Sequence, residues 1–260
     1  MTIRRMGSHI VTAVIATGIA ALYNRVLRES ILNWGATDSE ASARLPGDEL
    51  LEHAECVSTR AIEIDSPAAA VWPWLAQMGP APRGGAYTYD WIENLLGLNM
   101  HSTDRVLPEF QHPHIGDTLG FGSNRMRLDR LESGRVLAWR SEDGKWVWTF
   151  VLEPRNGRTR LISRNRFRLP TPVARMSALP MEPGSLLMET KMLRGIKQRA
   201  ERLAAESLLE DGEHRERSDG DGDHRDDDRG RRRRASADAV FAHDLRVASE
   251  GSQEREDREE

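Results

Sequence analysis

The sequence predicts an α+β fold, and three observations carry that reading. A short alternating stretch at 57–65 runs directly into a helix start. After Gly116 apolar and polar residues alternate with period two between turn dipeptides. Residues 183–209 then place Leu186, Leu187, Met192, Leu193, Ile196, Leu203 and Leu208 near helical spacing. The chain has 260 residues, enough for one domain of ordinary size with segments to spare at each end.

The first segment, residues 1–33, contains MGSHIVTAVIATGIAALYN at 6–24, a run without formal charge. It approaches the ~20 residues a helix needs to cross a bilayer, and polar Ser8, His9, Thr12 and Thr17 dilute it. A membrane anchor, a signal peptide and a buried or interfacial helix all remain open, and no A-x-A cleavage site directly follows the run. Arg4 and Arg5 before it balance Arg25 and Arg28 after it, so charge leaves the orientation open. Residues 34–56 are polar and carry Pro46-Gly47, which reads as a linker with a turn.

The folded domain is expected over 57–209. VSTRAIEID (57–65) is its first strand; Ser66 is placed as an N-cap and Pro67 at the first helical position. The helix that follows contains Pro73, whose missing N–H predicts a kink or an early end. A second short helix is expected over about 89–96, closed by Gly97. Successive strands follow in 117–169, separated by Ser-Gly, Asp-Gly and Asn-Gly, which favour tight hairpins. In KWVWTFVLEP, Trp146, Trp148, Phe150 and Leu152 share one face and Val147, Thr149 and Val151 the other, so this strand needs cover on both sides. In RTRLISRNRFR, Arg160, Arg164, Arg166 and Arg168 are assigned to solvent. Leu161, Ser163, Asn165 and Phe167 are assigned to the interior. Residues 210–260 alternate acid and base with almost nothing to bury, and are expected to be disordered.

The order of elements, with WPWLAQMG at 72–79 and GGAYTYDWIENLLG at 84–97, resembles the helix-grip superfamily. That superfamily includes START lipid-transfer domains, the major birch pollen allergen and the polyketide cyclase/dehydrase group. More narrowly, the chain is similar to bacterial SRPBCC proteins with an N-terminal hydrophobic segment. The motifs are Trp34-Gly35-Ala36-Thr37-Asp38 and Leu45-Pro46-Gly47-Asp48-Glu49-Leu50-Leu51, and the likeness spans 34 to about 208. It implies a strongly bent antiparallel sheet gripping the C-terminal helix around an apolar cavity, with the two short helices at its mouth. It also implies a bound hydrophobic small molecule, lipid or polyketide-like, and favours a cytoplasmic domain on a membrane tether. The alternative it allows is a cyclase/dehydrase-type enzyme working by general acid/base catalysis.

Within that frame Tyr87, Tyr89 and Trp91 alternate behind Gly84-Gly85 and could cover a ligand's apolar body while gripping its polar end. The competing reading has these aromatics only packing the helix, with Asp90 as its cap. Trp139, Trp148, Phe150, Asn165 and Phe167 complete the expected ligand contacts. His101, Asp104 and Tyr89 are the candidate acid/base residues for the enzyme alternative. Arg140 is expected outward by strand alternation; inward, it would clamp a carboxylate. His112 and His114 share a side, yet only Asp104 or Glu109 could join them, so no metal is expected. Nothing matches a phosphate loop, dinucleotide fingerprint or nucleophile elbow, so no cofactor is expected. The net charge of −4 and the confinement of the one dense basic block, Arg231 to Arg234, to the tail argue against a nucleic-acid partner. Cys56 is the single cysteine, which excludes an internal disulfide. The oligomeric state stays open.

Overall fold

The computed structural model describes residues 27–121 and 124–220. The readings of the uncharged run at 6–24 and of most of the charged tail lie outside them. Among the described residues no helix is long and apolar enough to cross a membrane. A compact unit extends through Ser207, and a second begins at Leu208.

Six strands form one antiparallel sheet in the order β1-β6-β5-β4-β3-β2. They are β1 (Cys56–Ile64), β2 (Thr118–Phe121), β3 (Asn124–Glu132), β4 (Val136–Ser141), β5 (Trp146–Arg155) and β6 (Arg158–Phe167). The hairpin chemistry read from sequence is present: Asn156 and Gly157 both take positive φ, 49° and 81°, the geometry that joins β5 to β6 in two residues. A register shift between Leu128 and Arg130 bends β3. The helices are α1 (Arg28–Leu32), α2 (Asp38–Ser42), α3 (Ala68–Ala76), α4 (Asp90–Leu95), α5 (Pro172–Ala178) and α6 (Met181–Gly220). A curled antiparallel sheet holding a long C-terminal helix is the helix-grip form of an α+β fold.

Two local expectations are corrected. Ser66 does not cap α3. Pro67 takes the cap position with φ −66° and ψ 155°, while the Ser66 carbonyl accepts from Thr159 Oγ1 at 2.7 Å. α3 runs through Pro73 and ends three residues later, with the Gln77 N–H bonded to the Pro73 carbonyl at 3.2 Å. α5 has no counterpart in the sequence reading; Thr171 caps it and Pro172 opens it.

The inner face of the sheet and the buried stripe Met192, Leu193, Ile196 and Ala200 of α6 enclose the main core. Trp74, Tyr87, Met100, Met126, Leu128, Leu137, Trp139 and Phe150 are each at most 2% exposed within it, so this part of the interior is filled by the protein's own side chains.

The other face is covered too, by residues 34–55. This segment, which reads as a linker, forms a strap of α2, a 3₁₀ turn (Asp48–Leu51) and their connections. Leu45 packs with Ala61, Val136, Val151 and Ile162 beneath it. Gly47, at φ +93°, passes so close that a Cβ there would lie 2.6 Å from Thr149 Oγ1. The assignment of the β6 arginines to solvent is therefore corrected for most of the row. Arg160 binds Glu40, with Nη2 at 2.8 Å, and Arg164 binds Asp48 through Nη1 at 2.8 Å. Arg166 donates to the Leu51 and Glu52 carbonyls, and of the four only Arg168 is exposed. The strap supplies the carboxylates and carbonyls that water would otherwise provide.

Burial raises the Glu40 carboxyl, but hydrogen bonds from Arg160 and the Thr37 backbone outweigh it and hold the group at about 2, against an ordinary 4.5. A depressed folded pKa contributes stability above pH 4.5 that fades as pH falls toward 2. The urea midpoint of the wild type should therefore exceed that of Glu40→Gln by a constant margin above pH 5, and the two should converge near pH 2. A margin that does not change with pH would show that Glu40 contributes nothing through its charge.

Candidate functional site

The register of β1, β6 and β5 builds the inner face in rows. Ile62, Leu161 and Leu152 form one row, and Arg60, Ser163 and Phe150 the next. Ser58, Asn165 and Trp148 follow, then Cys56, Phe167 and Trp146. The face thus passes from wholly apolar, through a polar band, to an aromatic rim.

Glu189 of α6 enters the polar band. Its Oε2 meets Arg60 Nη1 in a very short ion pair, and its Oε1 accepts from Ser163 Oγ and from Asn165 Nδ2, the latter at 3.2 Å. Arg60 also donates from Nε and Nη2 to the Ile31 carbonyl at 3.2 and 3.1 Å, and from Nη2 to Ser185 Oγ at 3.0 Å. Trp148 Nε1 donates to Ser163 Oγ at 3.0 Å, and Trp146 Nε1 to Asn165 Oδ1 at 2.8 Å. Arg60 and Ser163 are fully buried, and Asn165, Glu189 and Trp148 nearly so. Burial pushes the Glu189 carboxyl above the usual carboxylate range, against the pull of Arg60, Ser163 and Asn165. Trp146 stacks on Phe167 at 5.7 Å and on Trp148 at 5.9 Å between ring centroids. Trp146 and Phe167 are half-buried, so the tier reaches from the polar band to the surface.

Of the residues expected to contact ligand, the structure brings Trp148, Asn165 and Phe167 together here. Phe150 adjoins Trp148 at 4.8 Å, and both belong to the main core, as does Trp139. Tyr87 is also core: its ring meets Trp74 edge-on at 6.0 Å, and its hydroxyl donates to the Trp74 carbonyl at 3.0 Å. Burial raises that hydroxyl's pKa well above its ordinary value. The chain reaches this position by a close approach, since a Cβ on Gly195 of α6 would lie 2.7 Å from the Tyr87 carbonyl oxygen. Tyr89 stands apart, its ring 5.8 Å from Lys191 Nζ. Trp91 is 69% exposed.

His101, Asp104 and Tyr89 are not joined by any hydrogen bond or ion pair among the described residues. His101 Nε2 meets Asn99 Oδ1 at 3.2 Å, while Asp104 binds Arg199 at 2.7 Å. Asp90 does not cap α4 but accepts from Ser102 N and Oγ at 2.7 and 2.6 Å, tying that helix to the loop beyond it. Arg140 turns outward to Asp129. His112 and His114 line a surface cleft of about 440 Å³ with Arg83 and Asp117. Among the described residues no three His, Cys, Asp or Glu side chains are placed to hold a metal ion.

Sequence reasoning missed Arg60, Trp146 and Glu189 as parts of one site. Glu189 did leave a signal: it lies three, four and seven residues before Met192, Leu193 and Ile196, on the buried stripe of α6, where a carboxylate needs a partner.

The site thus belongs to a helix-grip domain whose interior is part solid core and part polar-aromatic band. No family model matches the chain, and comparison with curated proteins gives no relative. Solved structures similar to it include a polyketide-cyclase-like protein of Corynebacterium glutamicum, 17% identical over 61% of this chain and 94% of that one, with a TM-score of 0.30. A Thermobifida fusca protein is 16% identical over 56% and 94%, with a TM-score of 0.38. An AHSA1-like protein of Aeromonas hydrophila is 18% identical over 55% and 92%, with a TM-score of 0.28.

Proposed function

We propose that the domain binds a hydrophobic small molecule, lipid or polyketide-like, on the tier of Trp146, Trp148 and Phe167, and that residues 1–33 tether it to a membrane. The observation that carries this reading is a buried carboxylate, guanidinium, hydroxyl and amide at the floor of stacked aromatic rings that reach the surface. Aromatic faces cover an apolar body, and the Asn165 amide and Ser163 hydroxyl fix a polar end. The filled core around Trp139 and Phe150 favours the half-buried rim of Trp146 and Phe167 as the place of contact.

Organic extraction of the purified full-length protein should release a copurifying apolar compound near one equivalent, and Trp146→Ala should lower that yield about tenfold, a loss of ~1.4 kcal/mol. Protein that yields no compound and binds no hydrophobic dye would remove the reading.

The raised Glu189 carboxyl, held against the Ser163 hydroxyl, favours a second reading as a cyclase/dehydrase-type catalyst. In it Glu189 moves the proton, in place of His101, Asp104 or Tyr89. Glu189→Gln would then retain the extracted compound but shift its identity to an unconverted precursor; an unchanged compound would exclude this reading.

A further inference from the structure

The first turns of α6 gather features that the ligand site does not use. Arg28 binds Glu182 through Nε at 3.0 Å and Nη2 at 2.8 Å, and both side chains meet Cys56 at the start of β1. This fixes the start of α1, whose Arg28 lies four residues after the uncharged run at 6–24 in the sequence. Leu27 is 52% exposed, and Met181, next to Glu182, is 72% exposed. α5 precedes them immediately. Its Arg175 is turned to the domain, with Nε on the Leu169 carbonyl at 3.0 Å and Nη2 3.7 Å from Glu55. Val173 and Met176, three apart and so neighbours on one face, are 76% and 71% exposed.

A short helix that presents valine and methionine outward leaves an apolar surface needing a partner. The nearest chain outside the described residues is itself apolar and close to bilayer length.

We infer that Leu27, Val173, Met176 and Met181 form a docking face for a lipid bilayer, into which residues 6–24 insert. This rests on the membrane tether proposed above and adds the face on which the domain lies. The tether sets the distance, and the patch sets the orientation. β1 and β6 place the aromatic rim at this same end, because Cys56, which meets Arg28 and Glu182, pairs with Phe167 and so adjoins Trp146. An apolar ligand leaving the rim would therefore find lipid before water.

Full-length protein carrying Val173→Cys, labelled with an environment-sensitive nitrobenzoxadiazole, tests the face. Cys56 is buried, and burial raises its thiol pKa, so a Cys56→Ser background removes only a weak competitor. With vesicles of phosphatidylcholine and phosphatidylglycerol at three to one, emission should rise at least twofold and shift to the blue. A label at Arg158→Cys, at the opposite end of β6, should not change. If the protein sediments with vesicles but the label at 173 stays unchanged, the docking face falls and the tether stands. If the protein does not sediment with vesicles, both fall. A rise at 173 that follows protein concentration without vesicles would instead assign the patch to a second copy of the chain and overturn the proposal.

Discussion

Arg60→Ala is expected to destabilise the domain by about 3–5 kcal/mol, the cost of leaving one partner of a buried ion pair uncompensated. The geometry makes the effect local and attributable. Without the guanidinium, Glu189 keeps only the Ser163 hydroxyl and the Asn165 amide, and the Ile31 carbonyl loses both its donors. Equilibrium urea unfolding at pH 7 measures the loss. Arg60→Met with Glu189→Leu should recover most of it, because apolar residues of similar volume often replace a buried pair at little or no cost. A single variant within about 0.5 kcal/mol of wild type would show that the network contributes little to stability. If the double variant is stable but yields no extracted compound, the network serves binding more than folding.

The second large effect is expected at Arg164, 2% exposed and bonded on every side. Its Nε donates to Thr59 Oγ1 at 3.0 Å, Nη1 to the Ala43 carbonyl and Asp48, and Nη2 to the Glu40 and Ala41 carbonyls. Arg164→Ala strands those acceptors and should cost about 3–5 kcal/mol. The loss should also release the strap, which limited proteolysis reads directly: trypsin should cut after Arg44 well before it cuts the sheet. Arg164→Lys should not rescue, since an ammonium cannot reproduce the planar fork that serves five acceptors. Unchanged cleavage at Arg44 would mean that Leu45, Leu51 and the bonds of Arg160 and Arg166 hold the strap without Arg164.

Both sites show where sequence reading succeeds and where it stops. The strands and their turns were legible because a strand's period and a turn dipeptide are local, as at Asn156-Gly157. The two-sided apolar pattern of β5 correctly demanded cover on both faces. What that cover was could not be read. A row of arginines at alternate positions looks the same facing water or facing carboxylates on another segment, and the partners here lie far off in the chain, Arg164 and Asp48 by 116 residues and Arg60 and Glu189 by 129. The strap was misread for the same reason: Thr37, Asp38, Glu40 and Asp48 give a linker's composition, and the packing of Glu40 and Asp48 against the sheet depends on arginines more than a hundred residues later. Among the aromatics, spacing placed Tyr87, Tyr89 and Trp91 on one side. The positive φ of Tyr87, 59°, and the close passage at Gly195 separate them.

The pairing of Arg28 with Glu182 and of Arg60 with Ile31 has a mechanical consequence. Traction applied at Leu27 loads the long helix and the sheet's first strand at the same moment, through side-chain clasps from Arg28 and onto Ile31. The domain is thus moored by two separate lines close to its leading end, and a tug there is shared across the fold before any single strand begins to peel.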